Sequence, residues 1–193
     1  MIFEYPVPRE TRRHGPFGYE TYESYRPWLR DEFDFRCIYC LKRESWGQVT
    51  GDFDLDHFVP QSIDSRSRLD YFNLVYACHR CNLVKLNQLI ANPIIWLSAD
   101  HIHVHPDGEL AARNLESRRL ILQLDLNAPQ LLKWRVMWMR IIELAKERDP
   151  SLYQSLTGPP SDLPDLSRLR PPGNSRPEGL IESWFALRQQ RHG

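Results

Sequence analysis

Net charge is the first thing this sequence lacks: 25 Lys and Arg residues balance 25 Asp and Glu over 193 positions. A protein that coats polyanions by bulk attraction needs an excess of cations to neutralise phosphates, so that class is excluded. No stretch approaches the roughly 18 consecutive apolar residues of a membrane span. The opening Met1-Ile2-Phe3-Glu4-Tyr5-Pro6 has neither the basic region nor the apolar run of a secretion signal. The expectation is a cytoplasmic protein with no membrane association. What is present is enough to fold: 41% apolar and 11% aromatic residues can bury the core of one compact domain, or of a small domain with appendages.

Cysteine is scarce, at four residues, but its placement carries information: Cys37-Ile38-Tyr39-Cys40 and Cys78-His79-Arg80-Cys81 are two Cys-x-x-Cys pairs separated by residues 41 to 77. In a secreted miniprotein such pairs suggest disulfides. In a reducing cytosol the same spacing suits a tetrahedral zinc, each pair forming a tight knuckle whose thiolates reach one ion at about 2.3 Å. The competing reading, a thioredoxin-like redox pair, needs one pair to open a helix in a βαβ pattern, which the sequence does not show. The long intervening stretch must be a structured excursion.

Residues 51 to 60, Gly51-Asp52-Phe53-Asp54-Leu55-Asp56-His57-Phe58-Val59-Pro60, begin with polar and apolar residues alternating at period two, as a half-buried strand does, and stop at the proline. Strict alternation sends Asp56 and His57 to opposite faces, so the strand must twist or end there if both serve one site. Tyr71 to Ala77 is a second β-prone segment running into the second cysteine pair. Asn82, just after Cys81, fits a helix N-cap, and one helical face can carry both Asn82 and Lys85. Asp52 and Asp54 share a strand face with Asp56 and are expected to form a solvated acidic edge.

The order Cys-x-x-Cys, Asp56-His57-Phe58-Val59-Pro60, Asn73-Leu74, then Cys78-x-x-Cys81-Asn82 with Lys85 resembles the HNH endonuclease family in its zinc-bearing subgroup. The resemblance covers residues 37 to about 87, less than a third of the chain. It implies an α+β protein built on a ββα-metal nuclease module, a two-stranded hairpin and a helix clasping a catalytic divalent ion, with a four-cysteine structural zinc and flanking helices and a β-hairpin. Asn82 stands at the family's last named position, and Asn73 would orient the loop or the base without touching the metal. It also implies DNA as substrate and cleavage that leaves 5′-phosphate and 3′-hydroxyl ends.

The residue types suit that chemistry. Phosphodiester hydrolysis needs a water, a base to take its proton and a cation to neutralise charge on the phosphoryl group and departing oxygen. His57, with an ordinary pKa near ~6.5, suits the base. Asp56 and Asn82 offer hard oxygens of the kind Mg²⁺ or Mn²⁺ takes, and Lys85 could contact a phosphate as a point charge. His79 is placed outside both metal shells, since four thiolates complete the zinc tetrahedron. Two assignments stay open: Asn82 could use its oxygen to cap the helix instead, and Asn73 could be an ordinary turn residue.

The chain divides into a 1–36 N-terminal extension and helix, a 37–90 nuclease module, a 91–156 hairpin and helical extension, a 157–179 Pro-rich linker and a 180–193 C-terminal amphipathic segment. His101, His103 and His105 alternate before the turn Pro106-Asp107-Gly108, so residues 101 to 113 read as a hairpin, and the histidines as exposed strand positions or a second metal site. Leu115 to Leu124 and Pro129 to Arg148 read as helices, the second carrying Leu131, Trp134, Trp138, Ile141 and Ala145 at helical spacing, as core. The linker should be extended and mobile. The last segment is too short to be a stable free helix and docks on its own domain or on a protein partner. Arg66, Arg68, Arg80 and Lys85, then Arg113, Arg118, Arg119, Lys133, Arg135 and Arg140, supply the cations for DNA-facing surfaces. Two competing functions share the four cysteines: a zinc-stabilised binding module that does not cleave, and a nuclease subunit of a larger defence or mobile-element assembly.

Overall fold

The computed structural model describes residues 3–7, 11–47 and 52–192. Gly51, the first residue of the expected strand, and the side chains of Arg191 and His192, the end of the C-terminal stripe, lie outside the described residues. Among the described residues there is no helix long and apolar enough to cross a membrane.

The segment between the cysteine pairs and just after them holds β1 (Phe53–His57), β2 (Leu74–Cys78) and α2 (His79–Lys85), with α1 (Arg26–Glu32) ahead of it. The two strands pair antiparallel, Phe53 opposite Cys78 and His57 opposite Leu74. Phe53 and Leu55 are buried, as alternation requires. Along this ladder Asp54 stands opposite Ala77 and Asp56 opposite Val75. The fold is therefore α+β with a ββα module inside it.

Two details of the module differ from the sequence reading. The β-prone run from Tyr71 opens with a 3-10 turn, Tyr71–Asn73, before β2 begins. Asp70 accepts the Phe72 N–H and holds that turn. The N-cap of α2 is Cys78, one residue beyond the end of the strand's apolar run, so Asn82 lies inside the helix and its oxygen is free of capping duty. A strand that runs straight into a helix caps with whatever residue ends the ladder.

The extension behaves as expected: β3 (Ile102–Val104) and β4 (Leu110–Ala112) pair as a hairpin, and α4 (Leu115–Gln123) and α5 (Pro129–Arg148) follow; α3 (Pro93–Trp96) is a single turn ahead of them. The hairpin turn uses Gly108 at φ +86°, where an added Cβ would lie 2.8 Å from the Leu132 carbonyl. The Arg135 guanidinium donates to the Gly108 and Leu126 carbonyls. This cation is structural and takes no part in a DNA-facing surface. Trp138 stacks on Trp46 at 4.7 Å and Trp134 meets Phe3 edge-on at 5.5 Å, so α5 packs on the module as core.

Residues 157–179 are tied down, contrary to an extended mobile linker. Thr157 closes a further helix, α6 (Pro150–Thr157), which starts with Pro at its first turn under an Asp149 cap. Leu166 is fully buried, the Gly173 N–H donates to the Phe17 carbonyl, and the Asn174 amide donates to the Gly15 carbonyl. The C-terminal segment then forms a 3-10 turn and α7 (Trp184–His192). The Trp184 N–H donates to the buried Asp31 carboxylate at 2.8 Å and its indole N–H to Asp34 at 2.9 Å. Of the two docking possibilities, the segment takes its own domain.

Candidate active site

The first knuckle is a tight turn in which the Cys37 N–H donates to the Lys42 carbonyl and the Leu41 N–H to the Cys37 carbonyl. The Ile38 N–H donates to the Tyr76 carbonyl, docking the knuckle on β2. The second pair straddles the junction where β2 becomes α2, so one thiolate comes from the strand end and one from the first helical turn. All four sulfurs lie within 4.8 Å of one another, and Cys40 and Cys78 are 3.6 Å apart. A tetrahedron with zinc–sulfur bonds of about 2.3 Å has sulfur–sulfur edges of about 3.8 Å, and four soft thiolates suit zinc, so the residues fit the ion. Among the described residues this is the one cluster of three or more such ligands. His101 instead stacks on Trp96, and the rings of His103 and His105 pack against each other at 4.8 Å.

α2 runs beside β1, and its residues three apart meet strand residues two apart. Asn82 donates its amide to Asp54 at 3.0 Å, and His79 places Nδ1 on the same carboxylate oxygen at 2.9 Å. One turn on, the Lys85 ammonium donates to Asp56 at 3.0 Å and to the His57 carbonyl at 2.7 Å. The other oxygen of Asp56 takes the Tyr39 hydroxyl at 2.6 Å. Asp52 pairs with Lys42 at 3.0 Å. The expected solvated acidic edge is thus a row of three partnered carboxylates, because helix and knuckle each present donors to it.

Lys85 is only 1% exposed. With its ammonium held by a carboxylate and a carbonyl below the surface, it is not presented to a phosphate, and its place in the site is to hold Asp56. Arg80 is likewise occupied, by the Leu124 and Asp125 carbonyls and the Asp125 carboxylate.

β1 ends at His57, and the side chain turns to the loop that follows. Its ring lies edge-on to Tyr22 at 5.0 Å, and Nε2 is 2.9 Å from the Arg68 carbonyl. A carbonyl only accepts, so Nε2 carries the proton and Nδ1 keeps the lone pair. The Gln61 amide donates to that lone pair at 3.2 Å. Burial lowers the His57 pKa from its ordinary value, against an opposing pull from the bond to the Arg68 carbonyl and from Asp56. The imidazole is therefore neutral at neutral pH, as a base must be.

Asn73 is buried and frames the loop that carries Gln61. Its Oδ1 accepts the Val59 N–H at 2.9 Å, and its Nδ2 donates to the Val59 carbonyl at 2.9 Å and to the Ser67 hydroxyl at 3.1 Å. Its side-chain partners are Val59 and Ser67, and none of the three carboxylates of the row is among them.

Residues 37–88 match the model of the HNH endonuclease family. This segment is an HNH domain. The match spans about a quarter of the chain, and no curated protein and no solved structure matches. The HNH domain brings Asp56, Asn82 and Lys85 to one side of β1 and leaves His57 and Asn73 with the 58–73 loop. Sequence reasoning missed Tyr39, Gln61 and Tyr22. Tyr39 lies inside the first Cys-x-x-Cys pair, where nothing local says that its hydroxyl reaches Asp56, and Gln61 follows Pro60 at the strand exit, where a chain reversal brings it back to His57.

Proposed function

We propose that the protein is a divalent-metal-dependent DNA endonuclease that hydrolyses phosphodiester bonds with His57 as general base. The observation that carries this is the 2.9 Å approach of His57 Nε2 to the Arg68 carbonyl: an acceptor there assigns the proton to Nε2 and leaves Nδ1 to accept one. In the reaction Nδ1 takes a proton from water as the water oxygen bonds to phosphorus. The phosphorus–O3′ bond breaks, leaving a 5′-phosphate and a 3′-hydroxyl once O3′ gains a proton from solvent. The Gln61 amide must leave Nδ1 for that water to approach.

Asp56 and Asn82 are the residues that would hold the divalent ion. The chemistry of the donors fits: a carboxylate offers about four acceptor positions, and Lys85 and Tyr39 use two of those on Asp56. Asn82 donates through Nδ2, which leaves its Oδ1 without a protein donor among the described residues. Asp54, on the same amide, is a third candidate oxygen ligand. Bound there, Mg²⁺ or Mn²⁺ would supply positive charge to the phosphoryl oxygens and the leaving O3′. Arg68, exposed and close enough to His57 to lower its pKa, is the phosphate contact in place of Lys85.

Supercoiled plasmid tests the proposal. With Mg²⁺ or Mn²⁺ the purified chain should convert it to nicked circles, and with EDTA it should not. Plasmid binding without nicking under either ion would leave the binding-module reading.

A further inference from the structure

Tyr39 is a buried residue for which the proposed chemistry has no use, yet it joins the two metal regions of the HNH domain. It stands between Cys37 and Cys40, so the knuckle fixes its backbone, and its carbonyl accepts the Tyr5 hydroxyl at 2.5 Å. Its side chain crosses to β1 and donates to the Asp56 Oδ2 at 2.6 Å, within the range of a strong bond to a charged acceptor. Lys85 holds Oδ1 of the same carboxylate. Two donors on two different oxygens fix the carboxylate plane; with Lys85 alone the group can turn about its last torsion.

We infer that Tyr39 is a positioning residue through which the zinc knuckle orients Asp56 for the catalytic divalent ion. The zinc site then does more than stabilise the fold: the same turn that holds zinc sets the geometry of the catalytic carboxylate. Residues that hydrogen-bond a metal ligand from behind change metal affinity by roughly 10 to 100-fold when removed. The inference rests on the proposed function, because it takes Asp56 as a ligand.

The test is Tyr39→Phe, which keeps the ring and removes only the hydroxyl, beside Tyr5→Phe, which removes a buried hydroxyl bonded to the same residue's backbone but not to Asp56. Zinc content, thermal midpoint and Mn²⁺ binding by calorimetry are measured on the full zinc-loaded chain without DNA. The expected result is one zinc per chain in both variants, with Mn²⁺ bound at least about 10-fold more weakly by Tyr39→Phe and unchanged by Tyr5→Phe. Equal Mn²⁺ affinity in Tyr39→Phe and the parent would overturn the inference while leaving the nuclease reading intact, as would equal weakening in both variants. Loss of zinc or of the fold in Tyr39→Phe would also overturn it, because the hydroxyl would then serve the knuckle. A parent chain that neither binds Mn²⁺ nor nicks plasmid would remove the proposed function itself.

Discussion

Replacing Lys85 with Met should lower stability and raise divalent-metal affinity together. The ammonium is buried and serves Asp56 at 3.0 Å and the His57 carbonyl at 2.7 Å. Met fills most of the volume but leaves the 5%-exposed Asp56 carboxylate with Tyr39 as its one donor and the His57 carbonyl without its shorter bond. Removing one member of a buried ion pair costs about 3–5 kcal/mol, because the remaining charge is stranded. For a chain of this size each kcal/mol moves the thermal midpoint by about 2–4 °C, so the expected fall is about 6–20 °C. Adding Asp56→Asn should recover a large part of that loss, since the neutral amide still accepts the Tyr39 hydroxyl and no charge is stranded. Meanwhile a divalent cation no longer competes with a resident ammonium, so Mn²⁺ should raise the midpoint of Lys85→Met more than that of the parent. Scanning calorimetry on the zinc-loaded proteins, with and without Mn²⁺, reads all of this. A Lys85→Met midpoint within about 2 °C of the parent, below the effect of even 1 kcal/mol, would refute the reasoning.

Zinc removal should unfold the HNH domain: structural zinc contributes about 10–16 kcal/mol, more than the whole stability of most domains. Chelation followed by circular dichroism and a colorimetric zinc assay should show one ion released per chain with loss of structure, and Cys81→Ser should behave the same way. The pH response follows from His57. Its folded pKa is lowered by burial, so the unfolded chain binds the proton more readily, and this contribution to stability is complete above about pH 6.5 and lost as pH falls through the lower folded value. The nicking rate should accordingly hold level to below pH 6.5 before it drops, and a bound cation nearby pushes the same way; a rate that halves above pH 7 would contradict this. Asn73→Ala removes four side-chain hydrogen bonds around Val59 and Ser67, about 2–4 kcal/mol by denaturant melt, and should slow nicking without altering zinc content.

The parts of this protein that are local were legible in the sequence. Two Cys-x-x-Cys pairs predict a four-cysteine cluster, which the fold assembles, and alternation from Phe53 predicts the strand that ends at His57. What the sequence could not reveal is who meets whom across elements. Asn82 reads as a cap because nothing local says that β2 runs into the helix without a break, leaving Cys78 in that role. Lys85 reads as a phosphate contact because lysine is normally solvated, and only the approach of α2 to β1 encloses it. The Pro-rich stretch reads as a linker by composition, yet Leu166, Pro171 and Pro177 are buried, and at Gly179, φ +74°, a Cβ would come within 2.0 Å of the Arg13 carbonyl. Proline restricts the unfolded chain and does not dictate that a segment leave the surface.

The zero net charge keeps one consequence. Cations and anions balance at 25 each, and Lys85, Arg80 and Arg135 are committed to partners within the protein, so bulk attraction to DNA is weak and cutting should depend on the divalent ion and weaken at high salt. The most direct measurement is the single-turnover nicking rate of supercoiled plasmid by the parent and by His57→Ala, each with zinc bound and saturating Mn²⁺. The account predicts a loss of about 100-fold or more in the variant, the share of a general base, with Mn²⁺ affinity unchanged. Equal rates would contradict it.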